Sequence, residues 1–212
     1  MHVKTIDPDN IDDQTLNDIF SFCKKCELDT KRPASENMAY TDWENKNHTL
    51  LYLLFKTDRF KTGKGIFSFL YDDDNEIVAS SGSYKAEFDH NVVIGAVRAW
   101  KMPKYRGSIV VAEHIMPIHI SWAIGEGAKV FALTFNEYNK GVMMSMNRQG
   151  KYAKIKDKFF MFGSLSNTFY REFTPLPYKV IIQNTEQYVI YRDLVPGYTP
   201  LWPKLPDEST SV

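Results

Sequence analysis

Between residues 66 and 100 the chain is three apolar runs separated only by two short polar turns, and few arrangements satisfy that pattern. Ile66 to Tyr71 leads into Asp72-Asp73-Asp74-Asn75. Glu76 to Phe88 leads into Asp89-His90-Asn91, and Val92 to Trp100 follows. Turns this short join neighbours that run in opposite directions, so the segment predicts a three-stranded antiparallel meander. A meander buries its apolar faces only if the remaining chain covers them.

The flanking segments supply that cover. Residues 2–6 (HVKTI) are β-like and end at Pro8-Asp9-Asn10. From Ile11 to Leu28 apolar residues recur near a 3.6 period, with Asp12 and Asp13 in the first turn and Lys24 and Lys25 near the end, as a helix dipole favours. Residues 30–41 are polar and loop-like. Asp42 to Lys56 predicts a second helix with Asp42 as its cap. After the meander, Ser108 to Ala128 predicts a helix closed by Gly125 and Gly127. Pro117 lies inside it and removes a ladder donor, so a kink or break is expected between His114 and Pro117. Lys129 to Phe135 is a buried strand and Asn139 to Gln149 a short helix. Phe159 to Arg171 is an aromatic loop, and Tyr178–Gln183 with Gln187–Asp193 a hairpin across Asn184-Thr185-Glu186. The fold class is therefore α+β. The expected division is one domain over residues 1–194 and an extended proline-rich tail over 195–212.

Composition narrows the function. Lys+Arg and Asp+Glu both number 26, so the formal charge is zero. A dedicated nucleic-acid binder usually carries a basic surface, and nucleic acid is not expected as a partner. Two cysteines, Cys23 and Cys26, build no disulfide framework, and the N-terminus lacks the pattern of a secretion signal. No apolar run reaches the roughly 18 residues of a membrane span. The expectation is a cytoplasmic protein without a membrane partner.

Two junctions carry chemistry. VRAWKMPKYRGS passes from a strand through a proline turn to Arg106-Gly107-Ser108 at a helix start. Unpaired amides and the positive dipole end at a helix start favour a phosphate. Gly107 permits close approach and Arg106 adds a cation. The plainer alternative is loop punctuation before a core helix. In LTFNEYNKGVMMSMNRQGKY a buried strand runs into a helix start at Asn139. Strand-end polar groups there suit a ligand, or Asn136 and Asn139 simply cap the helix.

These residues resemble the GNAT N-acetyltransferase superfamily. Pro103-Lys104-Tyr105-Arg106-Gly107 is similar to that family's P-x-Y-R-G segment before its pyrophosphate loop, and Asn139 with Gly150 to its Asn…Gly helix. The resemblance extends from His2 to about Leu194. It implies a mixed, mostly antiparallel sheet of about seven strands with splayed central strands and helices on both faces. It further implies acetyl-CoA as acyl donor. The backbone of Arg98, Trp100, Lys101 and Met102 would pair with the pantetheine arm, amides of Arg106, Gly107, Ser108, Ile109, Val110 and Val111 would hold the pyrophosphate, and Asn139 would contact the arm. The acceptor would be a small-molecule or peptide amine, and a homo-oligomer is possible. Four positions depart from the family pattern, one of them Val142, which stands where the family has Ala three residues after the Asn. Ile109 and Val111 stand where it has small residues, and Met146 where it has a thiolate-protonating Tyr. Glu137 as base and Tyr138 as acid are the substitutes at hand, against readings as surface charge and core aromatic. These departures are also what a catalytically inactive binding or assembly module on this fold would show.

Other signals read as structure. Cys23-Lys24-Lys25-Cys26 lies on a predicted helix and has no second pair to complete a metal site. His114 and His119, five apart, do not fit the zinc-binding helix spacing, so kinked-helix packing or a hydrogen-bonded core histidine is expected. Asp72-Asp73-Asp74 is expected to be a solvated hairpin tip. Lys140, Arg148, Lys151, Lys154, Lys156 and Lys158 are expected to form a solvated face, the alternatives being contact with the 3′-phosphate of CoA or with an acidic partner.

Overall fold

The computed structural model describes residues 1–28, 49–106, 108, 110–135, 174–175, 180–182 and 185–201. Contacts divide the chain into two units. One comprises Met1–Tyr84 and Ala96–His119, the other Lys85–Gly95 and Ile120–Val212.

In the first unit β1 (His2–Ile6) is followed by a turn and by α1 (Asp13–Leu28). The helix starts two residues later than the periodicity suggested because Asp12 serves as its cap. The Asp12 carboxylate accepts from the Thr15 amide at 2.6 Å and from the Thr15 hydroxyl at 3.1 Å. Ile19, Phe22, Cys23 and Cys26 form its buried stripe, so both cysteines are packing residues. Of the second predicted helix, α2 (Thr49–Phe55) is described, with Leu50 and Leu54 buried. Residues 29–48, including the expected cap Asp42, lie outside the described residues.

The meander is present as β2 (Gly65–Tyr71), β3 (Ile77–Lys85) and β4 (Val92–Lys101). β3 ends three residues before the expected Phe88. β1 pairs antiparallel with β2 from His2 opposite Tyr71 to Ile6 opposite Phe67, and β2 pairs antiparallel with β3. The hydrogen-bonded order in this unit is β1-β2-β3-β4. β2 is buried along its whole length, which requires cover on both faces. Adjacent strand residues point to opposite faces. Phe69 meets Phe22 of α1 edge-on at 6.1 Å, while its neighbour Ser68 meets His119 at 3.0 Å. Helices therefore cover both faces of this strand, as expected.

After β4 come a single 3₁₀ turn (Pro103–Tyr105) and a wide π turn (Val111–Ile115), and then α3 (Met116–Gly125). The break falls where Pro117 predicts it. Proline has no N–H to offer the Glu113 carbonyl, and the chain widens one step earlier, the Met116 amide donating to the Val111 carbonyl.

In the second unit α3 closes on Gly127, whose φ of 75° lies in the left-handed region that glycine adopts without penalty. The Ala128 amide donates to Ala123 O at 2.9 Å and the Gly127 amide to Ile124 O at 3.0 Å, a Schellman closure. β5 (Val130–Phe135) lies parallel to the first residues of β4. β6 (Thr174–Pro175), β7 (Val180–Ile182) and β8 (Thr185–Asp193) follow, and β5 runs antiparallel to β8. The order here is β4-β5-β8-β6, with β7 also paired with β8. The final hairpin is tighter than expected: Ile182 pairs with Thr185, which places Thr185 and Glu186 in a strand rather than in the turn. The sheet is mixed and mostly antiparallel.

Candidate functional site

β4 is the element that places the first junction. Its parallel pairing with β5 covers Val92 to Gly95, the last pair being Gly95 opposite Leu133. Gly95 is required there: a Cβ on it would lie 2.2 Å from the Phe131 ring. Beyond Gly95 the strand continues to Lys101 as part of the first unit.

That continuation is irregular in a specific way. Ala96 has φ 55° and Arg98 φ 51°. Left-handed backbone is costly for residues carrying a Cβ, of order 1 kcal/mol each, and persists only where its surroundings impose it. One imposing contact is visible: the buried Ser80 hydroxyl donates to the Arg98 carbonyl at 2.9 Å. Just past the strand's end the Met102 amide donates to Val78 O of β3 at 2.8 Å.

The loop that follows is tied down by side chains. Lys104 Nζ meets the Asp72 carboxylate at 3.1 Å. Asp72 is buried and also accepts from the amides of Glu76 at 3.0 Å and Asp74 at 3.2 Å. The Glu76 amide, then Lys104, hold its carboxyl below the usual carboxylate range. The acidic tip is therefore only partly the solvated feature expected: Asp73 is exposed, whereas Asp72 organises both the hairpin turn and the loop. Lys101, half-buried, donates to the Ser108 carbonyl, and burial pushes its ammonium pKa down. Ser108 Oγ donates to Tyr105 O at 2.6 Å. Arg106 is exposed, and its Nη2 donates to Cys26 O at 3.3 Å, so its guanidinium reaches the carbonyl end of α1.

Helical geometry then begins at Val110, which has helical φ and ψ and makes no side-chain capping bond; Val110 is buried and Val111 half-buried. Among the described residues no side-chain cap is recorded at this helix start, which fits an anion as partner of its first amides. Of the expected site residues, Arg98, Trp100, Lys101, Met102, Arg106, Ser108, Val110 and Val111 fall on this one continuous path in the first unit. Gly107, Ile109, Glu137, Tyr138, Asn139 and Met146 lie outside the described residues, as do the lysine-rich and aromatic segments.

Sequence reasoning missed the serines behind this path. Ser80, Ser81 and Ser83 are fully buried on β3. A Ser-Ser-Gly-Ser run inside a strand that must be covered on both faces was the available signal. Ser68, Ser83 and His119 form the core histidine cluster that the sequence led one to expect: Nδ1 lies 2.9 Å from Ser83 Oγ and Nε2 3.0 Å from Ser68 Oγ. Among the described residues no three His, Cys, Asp or Glu side chains converge as a metal site requires, and no helix is long and apolar enough to cross a membrane.

No family model matches the chain, and no curated protein matches it by sequence. Solved structures do match. An alpha-N-protein acetyltransferase of ribosomal L7/L12, RimL, in complex with coenzyme A, superposes with a TM-score of 0.55 at 10% identity over 91% of this chain and 94% of that one. A GNAT-family acetyltransferase from Staphylococcus aureus gives 0.51 at 11% identity over 91% and 99%. A point mutant of the spermidine N-acetyltransferase SpeG from Vibrio cholerae gives 0.50 at 8% identity over 92% and 95%. At such identities a likeness speaks for architecture. Together with the irregular β4 and the loop after it, these superpositions show that the chain has the GNAT acetyltransferase fold.

Proposed function

We propose that the chain is an acyl-CoA-dependent N-acetyltransferase acting on a primary amine, either a small molecule or a peptide N-terminus. The observation that carries this reading is the path from Ala96 to Val111. Two left-handed residues turn the end of a strand, side chains fix the loop behind it, and a helix start without a side-chain cap follows. That path suits a long, flexible ligand with a phosphate at its middle. Structures of the same fold include one that holds coenzyme A and one named for spermidine, which supports the donor and the acceptor class.

The bound donor would supply a thioester carbonyl as electrophile. In this reading the backbone of Arg98 to Met102 pairs with the donor's amide-bearing arm. Amides from Arg106 to Val111 receive its pyrophosphate, with Arg106 and Lys101 as the neighbouring cations. Asn139 holds the arm from the other junction. Glu137 takes the proton of the attacking amine, directly or through a water, and Tyr138 returns one to the departing sulfur.

Thermal unfolding with increasing acetyl-CoA tests the proposal. Ligand at about 100 times its dissociation constant adds about 2.7 kcal/mol of stability. Arg106→Glu should remove the response. No shift at millimolar acetyl-CoA would leave a non-catalytic module on the same fold.

A further inference from the structure

We infer that Ser80 is a positioning residue that aims the Ala99 amide at the acyl carbonyl of the donor, an inference that rests on the acyltransferase reading above. Ser80 is fully buried on β3, and its hydroxyl donates to the Arg98 carbonyl at 2.9 Å. Arg98 is one of the two left-handed residues in β4. Among the described residues no peptide bond is cis, so the Arg98–Ala99 peptide is trans and planar. In such a peptide the C=O and the next N–H point in opposite directions. A carbonyl held toward β3 therefore sends the Ala99 N–H away from β3.

The strand register gives the same direction independently. The Met102 amide faces β3, donating to Val78 O. Peptide groups along a strand alternate sides. The Trp100 amide therefore faces β3 as well, and the amides of Ala99 and Lys101 face away. Between the two left-handed residues and the regular pairing at Met102, Ala99 is the first residue to direct a donor outward; the Ser80 hydroxyl holds that peptide plane from its Arg98 side, as the pairing at Met102 holds the strand from the other. Without the hydroxyl the Arg98 carbonyl loses this donor and the plane is freer to rotate. A donor aimed at a carbonyl oxygen contributes most when it is held before the ligand arrives.

The test uses the full chain with ¹⁵N-labelled alanine and two probes, acetyl-CoA and CoA, which differ by the acetyl carbonyl. The expected result is an Ala99 amide proton that moves downfield with acetyl-CoA relative to CoA. In Ser80→Ala that difference should shrink severalfold, while CoA still raises the melting temperature as in the wild type. Ser80→Cys, which retains a weak donor, should show a reduced but present difference, and it serves if Ser80→Ala does not fold. If both probes bind and Ala99 responds equally to them, or if Ser80→Ala and Ser80→Cys keep the full difference, the inference is overturned while the acyltransferase reading stands. If neither probe binds the wild type, both fall together.

Discussion

Hydroxyl groups hold both ring nitrogens of His119, and among the described residues no charge shifts its titration, burial alone doing so. Thr5, Ser68 and Ser81 are successive cross-strand partners on β1, β2 and β3, so their side chains share one face. Thr5 Oγ1 lies 2.9 Å from Ser68 Oγ, and Ser68 and Ser83 hold the two ring nitrogens of His119. Ser81 Oγ is the buried side-chain atom without a partner among the described residues. Burial pulls the pKa of His119 down from 6.5 to about 3. Between those values the unfolded chain binds a proton that the folded one does not. Stability is thus fully present above the unfolded value and drains as pH falls toward the folded one, by about 1.4 kcal/mol per pH unit. His119→Gln retains a donor and an acceptor but does not titrate. Urea midpoints at about pH 6 and about pH 4 should therefore converge for this variant relative to the wild type. The sequence foretold a core histidine because its spacing fitted no metal motif. Its partners were not legible, because pairing across three strands is set by register and not by neighbours in the chain.

β4 shows what element-level reading captures and what it loses. Its existence and limits follow from an apolar run between Asn91 and Pro103, and the observed Val92–Lys101 agrees to one residue. The left-handed turns at Ala96 and Arg98 were not legible, since neither residue type announces that conformation. The kink before α3 was, because proline's missing donor acts locally. Gly95 carries a further consequence at this scale. A methyl group there meets the Phe131 ring, which is itself 2% exposed and has little room to yield. Gly95→Ala should cost about 1–3 kcal/mol. Pairing it with Phe131→Leu should recover part of that loss, read as a positive coupling in a double-mutant cycle by urea denaturation.

Across the whole molecule, the candidate path falls in the first unit, while the expected acid, base and Asn139 belong to the second, outside the described residues. The loop and the helix start were legible in the sequence as a strand end, a proline turn and an Arg-Gly-Ser junction, and all their expected residues but Gly107 and Ile109 are among the described ones. The proline-rich tail is more than a surface extension, because its residues to Leu201 are fastened to the turn before β4. Asp89 is buried, which alone would raise its pKa. Hydrogen bonds from Tyr198 Oη at 2.7 Å, the Leu201 amide at 3.1 Å and Asn91 outweigh that and hold the carboxyl below its usual range. Lys129 lies over the Tyr198 ring, 4.9 Å from its centre. Tyr198→Phe leaves the buried carboxylate short of one donor and should cost about 1–3 kcal/mol. Limited proteolysis should then cut between Val195 and Leu201 well before the wild type is cut.

Synthesis on the ribosome proceeds from the N-terminus, and the Asp89 carboxylate emerges 109 residues before Tyr198. The edge of β5 that pairs with β8 likewise waits for residues 188 to 193. A nascent chain therefore carries a carboxylate without its Tyr198 and Leu201 donors, and an open strand edge, until residues 188 to 201 have been made, an exposure of the sort that invites chaperone binding.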